Sequence, residues 1–313
     1  MSMRIPLALL LLLTSGAVLP ADVVPVVFAP GVVSTGDDEW GFTMTADGNT
    51  VYFNKADRGY KLQIIVEASR SGDGWSAPRV VSFSGRFRDI DPALSPDGRM
   101  LVFASNRPRT ADGEIRKDFD LWAVDRLPSG GWSAPRHLGD AVNSEGSETN
   151  SSIASDGTLY FAGSKVGGGN RSLYRARRSG EGYGLPEKLP APINTDDDES
   201  NHFIAADQSY LLFLSKRAGG HADSDLYIVF RTGDAWSPPR NLGPAINRPG
   251  TSGVFTPFVS ADGKTLYYAA RFTNSDVLPA QPLTYDQVLA RLRTPGNGQG
   301  DLYSQPWNAD DYR

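Results

Sequence analysis

Apolar and polar residues alternate along this chain in short runs that return at a fixed spacing. Residues 51–53, 101–103, 159–161, 211–213 and 266–268 each follow a tight turn built on Asp47, Asp97, Asp156, Asp207 or Asp262, and the turns lie 50, 59, 51 and 55 residues apart. Neighbouring side chains on a strand point to opposite faces, so each run predicts the second strand of an antiparallel hairpin. A third strand follows at Leu121 and Trp122, Leu173 and Tyr174, Leu226 and Tyr227, and Leu302 and Tyr303; the first copy, near residues 62–66, is looser. A fourth segment carries Trp75, Trp132, Tyr183 or Trp236 followed by a proline, and three of its tails end near Asn143, Asn194 and Asn247. Four strands repeated at this period are the unit of a β-propeller blade.

The repeats fall near residues 38–83, 88–143, 147–194, 198–247 and 251–307, but the fifth has no fourth strand, only Trp307 and an acidic tail. The missing piece lies at the other end of the chain, where residues 29–34 match the repeat tails 138–143 and 242–247 in length and apolar pattern. The expectation is therefore an all-β, five-bladed β-propeller in which residues 22–34 complete the last blade, so that residues 22–313 form one domain. Closing the ring with the N-terminal strand removes the unpaired strand edges that an open array would expose. One insertion, residues 272–300, predicts a helix capped by Thr284, with Gln287 completing a capping box and Val288, Leu289 and Leu292 forming an apolar stripe. Such a helix covers the fifth blade or serves as a lid or partner-docking element.

The most regular repeat, with Ser95, Pro96, Asp97 and Gly98 at the turn, Leu101, Val102 and Phe103 on the strand, and Asp120, Leu121 and Trp122 on the next, resembles the WD-like propeller repeat of the TolB-type family. The other copies put Ala46, Ser155, Ala206 and Ala261 where Pro96 stands, and Gln208 replaces the turn glycine of the fourth. The resemblance implies a periplasmic or secreted propeller that serves as a binding or scaffolding module.

Composition narrows the address and the partners. Arg4, an apolar run at residues 5–13 and the small residues Ser15, Gly16 and Ala17 read as a secretory signal over residues 1–21, so a periplasmic or secreted protein is expected. The run is shorter than the roughly 20 residues that span a bilayer, and no membrane span is expected after processing. The absence of cysteine excludes disulfides and thiolate metal sites. A net charge of −5 with both signs interspersed leaves no footprint for nucleic acid. Nothing marks an oligomer interface, so a monomer is expected, with an envelope protein or a glycan as partner.

Candidate chemistry gathers at one mouth of the channel. Eight residues before the turn aspartates stand Glu39, Asp89, Glu148, Glu199 and Val254, and the second strands end in Lys55, Arg107, Lys165, Arg217 and Arg271. An acid–base pair that recurs with the fold's own period reads as architecture. Departures from the repeat occur six before the turn aspartate, at Gly41, Asp91, Asn150, Asn201 and Thr256. Glu148, Asn150, Glu199, Asn201 and His202 are therefore the candidate ligand-binding cluster, for a sugar, a peptide end or a cation, with His202 able to act as acid or base. No catalytic residue is assigned. His137, His202 and His221 are not at metal-ligand spacing, and the acidic run 196–199 offers oxygen ligands to calcium against a reading in which loop acids are simply solvated.

With no nucleophile motif or phosphate loop, these features weigh against an enzyme and towards an envelope binding or scaffolding module. The alternative is a carbohydrate-active enzyme, glycoside hydrolase or lyase, with its site at the channel mouth.

Overall fold

A computed structural model describes residues 24–313 except 165, 274–278 and 280. The proposed signal, residues 1–21, lies outside the described residues. Five antiparallel sheets of four or five strands follow one another around a central channel, with a separate two-stranded ribbon at Arg178–Ser179 and Gly182–Tyr183, an all-β five-bladed propeller with one short helical insertion. In the first blade Asp38–Met44 lines the channel, Thr50–Ala56 and Gln63–Ser71 follow outward, and Arg79–Val80 forms the edge. The inner strands of the other blades are Asp89–Leu94, Ser147–Ile153, Glu199–Ile204 and Val254–Val259. Second strands are buried on both faces, and Tyr52, Phe53, Phe103, Tyr160, Phe213 and Tyr268 are wholly enclosed. Burying rings of this size is worth about 2–3 kcal/mol each, which makes the second strands the main apolar anchor of each blade. The recurrent fourth-segment aromatics pack between blades, as expected: Trp132 meets Tyr52 and Phe83 of the preceding blade edge-on at 5.9 and 6.2 Å.

The ring closes through the N-terminal strand. Val26–Val27 pairs antiparallel with Asp301–Pro306, setting Val26 opposite Ser304 and Val27 opposite Tyr303, and the Phe28 N–H donates to the Leu302 carbonyl at 2.7 Å. A side-chain clamp explains why the repeat tails end in small polar residues. Asn143, Asn194 and Asn247 each accept from a third-strand leucine N–H and donate to its carbonyl, at 2.6 and 3.1 Å for Leu121, 2.8 and 2.9 Å for Leu173, and 2.9 and 3.0 Å for Leu226. Ser34 performs the same two tasks on Leu302 at 3.0 and 3.1 Å, across the junction between the termini.

Each inner strand carries a bulge at one repeat position. The register slips between Trp40 and Thr43, Ile90 and Ala93, Thr149 and Ser152, Ser200 and Phe203, and Phe255 and Phe258. Within those gaps Gly41, Asp91, Asn150, Asn201 and Thr256 have φ of 59, 55, 49, 41 and 47°. That left-handed region suits Gly, Asp and Asn, which accounts for four of the five residues. A bulge also re-aims the side chains that follow it, which decides what reaches each end of the channel.

The helix Tyr285–Leu292 carries the expected capping box between Thr284 and Gln287. It rests on the N-terminal segment beside the first blade: Leu289, Leu292 and Arg293 share a cleft with Val32, Gly36 and Ile64, and the Asn297 side chain donates to the Gly36 carbonyl at 3.0 Å. Neither it nor Arg293 lines the channel mouth. No helix among the described residues is long and apolar enough to cross a membrane.

Candidate functional site

The bulge residues divide the channel into two chambers of about 490 Å³ each. The chamber at the loop face is lined by Trp40, Asp91, Thr149, Asn150, Asn201 and Phe255 from the inner strands, and by Tyr60, Arg171, Lys216, Asp223 and Arg271 around them. The chamber at the turn face is lined by the strand ends beyond the bulges and by the hairpin turns.

At the floor of the loop-face chamber the bulge residues form a hydrogen-bonded arc. Asp91 Oδ1 accepts from Trp40 Nε1 at 3.2 Å, and Oδ2 accepts from the Asn150 amide N–H at 3.2 Å and from Asn150 Nδ2 at 2.7 Å. Asn150 Nδ2 also donates to Asn201 Oδ1 at 3.2 Å, while the Gly41 N–H donates to Thr256 Oγ1 at 3.2 Å. Asn54 holds Asp91 from behind, accepting its N–H at 2.7 Å and donating to the Asp89 carbonyl at 3.0 Å. Burial pushes the Asp91 carboxyl up to about 6, while the bonds from Asn150 and Trp40 and the charge of Arg171 pull the other way. Desolvation disfavours the carboxylate and its donors favour it, and desolvation is the larger of the two, so the pKa stays above the ordinary value.

The rim is rich in donors. Arg171 binds Asp198 through Nε at 3.0 Å and Nη2 at 2.6 Å, and Arg271 Nη2 reaches Asp38 at 3.2 Å and the Tyr60 hydroxyl at 2.8 Å. Lys216 is exposed and makes no ion pair among the described residues. Trp40 and Tyr60 stack edge-on at 5.9 Å, giving the donors an aromatic wall.

The recurrent acids turn inward to their own blades. Glu39 meets Lys55 at 2.5 Å, Asp89 meets Arg107 at 2.7 Å, and Glu199 meets Arg217 at 3.6 Å, each acid fully buried. Arg271, whose blade offers Val254 in place of an acid, reaches across to Asp38 of the first blade. The Lys165 expected to face Glu148 lies outside the described residues. Glu148 itself accepts from the Ser144 N–H at 3.1 Å and the Ser144 hydroxyl at 2.5 Å, and burial raises its pKa. Glu199 likewise accepts from Thr195 and, at 2.9 Å, from Ser215.

The five candidate residues therefore do not form one cluster. Asn150 and Asn201 share the loop-face chamber, Glu148 and Glu199 are engaged with the loops and strands behind it, and His202 lines the turn-face chamber. The bulge between Ser200 and Phe203 separates His202 from its neighbour Asn201. Asp91, Trp40, Tyr60, Arg171 and Lys216 complete the loop-face site; Asp91 stood among the departures from the repeat and Trp40 lies on the first inner strand, whereas Tyr60, Arg171 and Lys216 come from loops with no periodic signature.

The calcium expectation is corrected. No group of three or more histidine or acidic side chains among the described residues converges as metal ligands do. In the run 196–199 the Asp198 carboxylate is consumed by Arg171 and Glu199 by Thr195 and Ser215, which leaves no shared oxygen cage.

No protein-family model matches the sequence, and no curated protein matches it. Solved structures do share the fold. A putative TolB from Agrobacterium tumefaciens superposes with a TM-score of 0.50 at 15% identity, over 87% of this chain and 91% of that one. An α-L-arabinofuranosidase from Lactobacillus brevis gives 0.51 at 14% identity, over 90% and 94%. A Bacteroides ovatus protein described as xyloglucan PUL GH43B gives 0.51 at 14% identity, over 90% of this chain and 55% of that one. The relation to TolB is thus a distant one of fold, shared with carbohydrate-active propellers. This overturns the expectation that weighed against an enzyme: the architecture that suggested a binding module is equally that of an arabinofuranosidase. The fold is compatible with either role.

Proposed function

We propose that this protein is a carbohydrate-active enzyme that takes a saccharide at the loop-face chamber and uses Asp91 for proton transfer. The observation that carries the reading is Asp91 itself, a buried carboxyl with a pKa of about 6, opening on a chamber whose other groups are mostly donors and aromatic faces. A sugar is rich in oxygen acceptors and has apolar ring faces, so the amides of Asn150 and Asn201, the cations Arg171, Lys216 and Arg271, and the rings of Trp40 and Tyr60 match it in kind.

The likeness to arabinofuranosidases supports the fold's suitability for such a site and leaves the reaction open. Hydrolysis requires two carboxyl groups about 5–9.5 Å apart across the bond. Among the described residues the chamber's other carboxylate beside Asp91 is Asp223, exposed at the rim. Elimination instead needs a base to take the proton beside an acidic sugar's carboxylate, a cation to hold that carboxylate and a proton for the departing oxygen, for which Asp91 as base, Lys216 as cation and the proton then carried by Asp91 would serve. The secretory leader read at residues 1–21 suits an extracellular or periplasmic glycan, and cell fractionation checks that address.

A panel of neutral and acidic oligosaccharides, read for both reducing ends and unsaturated products, tests the proposal and separates the two reactions. Asp91→Asn should retain the saccharide but slow turnover by about 10²–10⁴-fold, the usual worth of a positioned acid or base. The parent rate should change through pH of about 6, rising if Asp91 is the base. Turnover undiminished in a folded Asp91→Asn protein, or no saccharide bound at all, contradicts the assignment.

A further inference from the structure

The cleft between the hairpin turns of the third and fourth blades collects positive charge that the repeat does not call for. Arg175, Arg177, Arg178 and Arg231 line a cavity of about 210 Å³ that shares no lining residue with either channel chamber. Two of the four are architectural. Arg178 and Arg231 hold the place of Arg70 and Arg126 in the first two blades, and all four lie over the aromatic ring of their own fourth segment. The distances to Trp75, Trp132, Tyr183 and Trp236, in blade order, are 4.4, 4.1, 5.5 and 6.0 Å. The other two are departures. Arg175, opposite Tyr160, stands where the other blades place Glu67, Ala123, Ile228 and Ser304; two residues on, Arg177 replaces Ser69, Asp125, Phe230 and Pro306.

The turn of the fourth blade departs as well. Gln208 stands where the other turns place glycine and keeps the left-handed φ of 60°. Its amide ties the cleft together: Nε2 donates to Asp156 Oδ2 at 2.8 Å, and Oε1 accepts from the Tyr160 hydroxyl at 2.9 Å and from Arg231 Nη1 at 3.2 Å. Asp156, the one carboxylate of the lining among the described residues, also accepts the Thr158 N–H on Oδ1 at 2.9 Å, so both its oxygens are engaged. Glu187 holds Arg175 through Nε at 3.0 Å and Nη2 at 2.8 Å, and comes no nearer than 3.7 Å to Arg177. Asp234, 99% exposed, meets Arg231 at 3.4 Å. These three acids leave the four arginines with an excess of positive charge, in a chain whose net charge is −5. Arg177, 65% exposed, has the long contact to Glu187 as its ion pair among the described residues, so its donors remain available. Every lining residue is polar, and a guanidinium offers its donors in a planar fork that matches the oxygens of an oxyanion.

We propose that this cleft is an oxyanion site that takes a sulfate or phosphate group, free or as an ester, against Arg177, Arg178 and Arg231, with Gln208 covering the Asp156 carboxylate. It stands independently of the saccharide reading. The probes are sodium sulfate and glucose 6-sulfate, titrated by calorimetry into the full protein at constant ionic strength set by sodium chloride, which screens unspecific attraction. We expect one-to-one binding with a dissociation constant of about 1 mM, the scale of a few charge-assisted hydrogen bonds to a solvated group. Arg177→Gln and Gln208→Gly should each weaken it about tenfold or more, the worth of one such bond. Glycine takes the φ of residue 208 without strain, so that variant keeps the turn while it uncovers Asp156 and releases Arg231. Arg70→Gln removes the equivalent stacked arginine of the first blade and should bind as the parent does. Tighter binding of the ester identifies a sugar-borne group and tighter binding of sulfate identifies the free ion; either ranking supports the site. Absence of saturable binding, binding unweakened in both cleft variants, or an equal loss in Arg70→Gln overturns the proposal.

Discussion

Asp301 should make the protein less stable as the solution becomes alkaline, and removing its charge should reverse this. Its side chain is fully buried at the start of the last third strand; Oδ2 accepts from the Gly296 N–H at 2.7 Å and Oδ1 has no hydrogen-bond partner. Burial raises its pKa to about 7, opposed by the Gly296 bond and assisted by the charges of Glu39 and Asp38. Asp120, at the same repeat position, is also buried, yet hydrogen bonds from His137 and Arg109 hold its pKa below the ordinary value. Among the described residues Asp301 has no such cation. An acid that binds its proton more tightly when folded stabilises fully below its ordinary 3.8, and this contribution disappears as pH rises through about 7. A rise of that size corresponds to about 4 kcal/mol as an upper value, and relaxation around the ionised group brings the expected effect to about 1–3 kcal/mol. Asp301→Asn keeps the acceptor for Gly296 and stays neutral. It should therefore raise the melting temperature at pH 8 by about 3–8 °C, with the advantage gone at pH 4, as followed by circular dichroism. An equal difference at both pH values, or a less stable variant at pH 8, refutes the reasoning.

Three further outcomes follow from the packing. Gly41→Ala should disrupt the loop-face floor, because a Cβ at its φ of 59° would sit 2.3 Å from Asn54 Oδ1, the atom that holds the Asp91 N–H; a melting curve lower by about 1–3 kcal/mol and weakened saccharide binding are expected. Ser34→Ala leaves the buried Leu302 N–H unmet across the closing junction, so urea unfolding should show a loss of about 1–3 kcal/mol. Arg107→Leu strands the buried Asp89 carboxylate 2.7 Å from an absent partner and should cost about 3–5 kcal/mol in the same assay, with part regained on acidification.

How far the sequence could be read depends on which features repeat. Blade number, strand order and terminal closure were legible because every blade restates them, down to the polar tail residue that becomes the Ser34 clamp. The pairing of Glu39, Asp89 and Glu199 with the bases of their own blades was legible for the same reason. The bulge was not, because an extra residue within an alternating run leaves the composition of the strand unchanged. Its trace was the succession Gly41, Asp91, Asn150 and Asn201, residues at ease with positive φ, and it explains why His202 faces the opposite chamber from Asn201. Tyr60, Arg171 and Lys216 arrive from irregular loops, where spacing carries no information about what meets in space.

The proposed role places a saccharide in the loop-face chamber against Asp91. A crystal structure of the Asp91→Asn protein soaked with an oligosaccharide found in the screen tests it most directly. A sugar ring is expected within hydrogen-bonding distance of residue 91, Asn150 and Asn201, with one face towards Trp40 or Tyr60. A sugar seated on the outer strands, with the loop-face chamber unfilled, would contradict it.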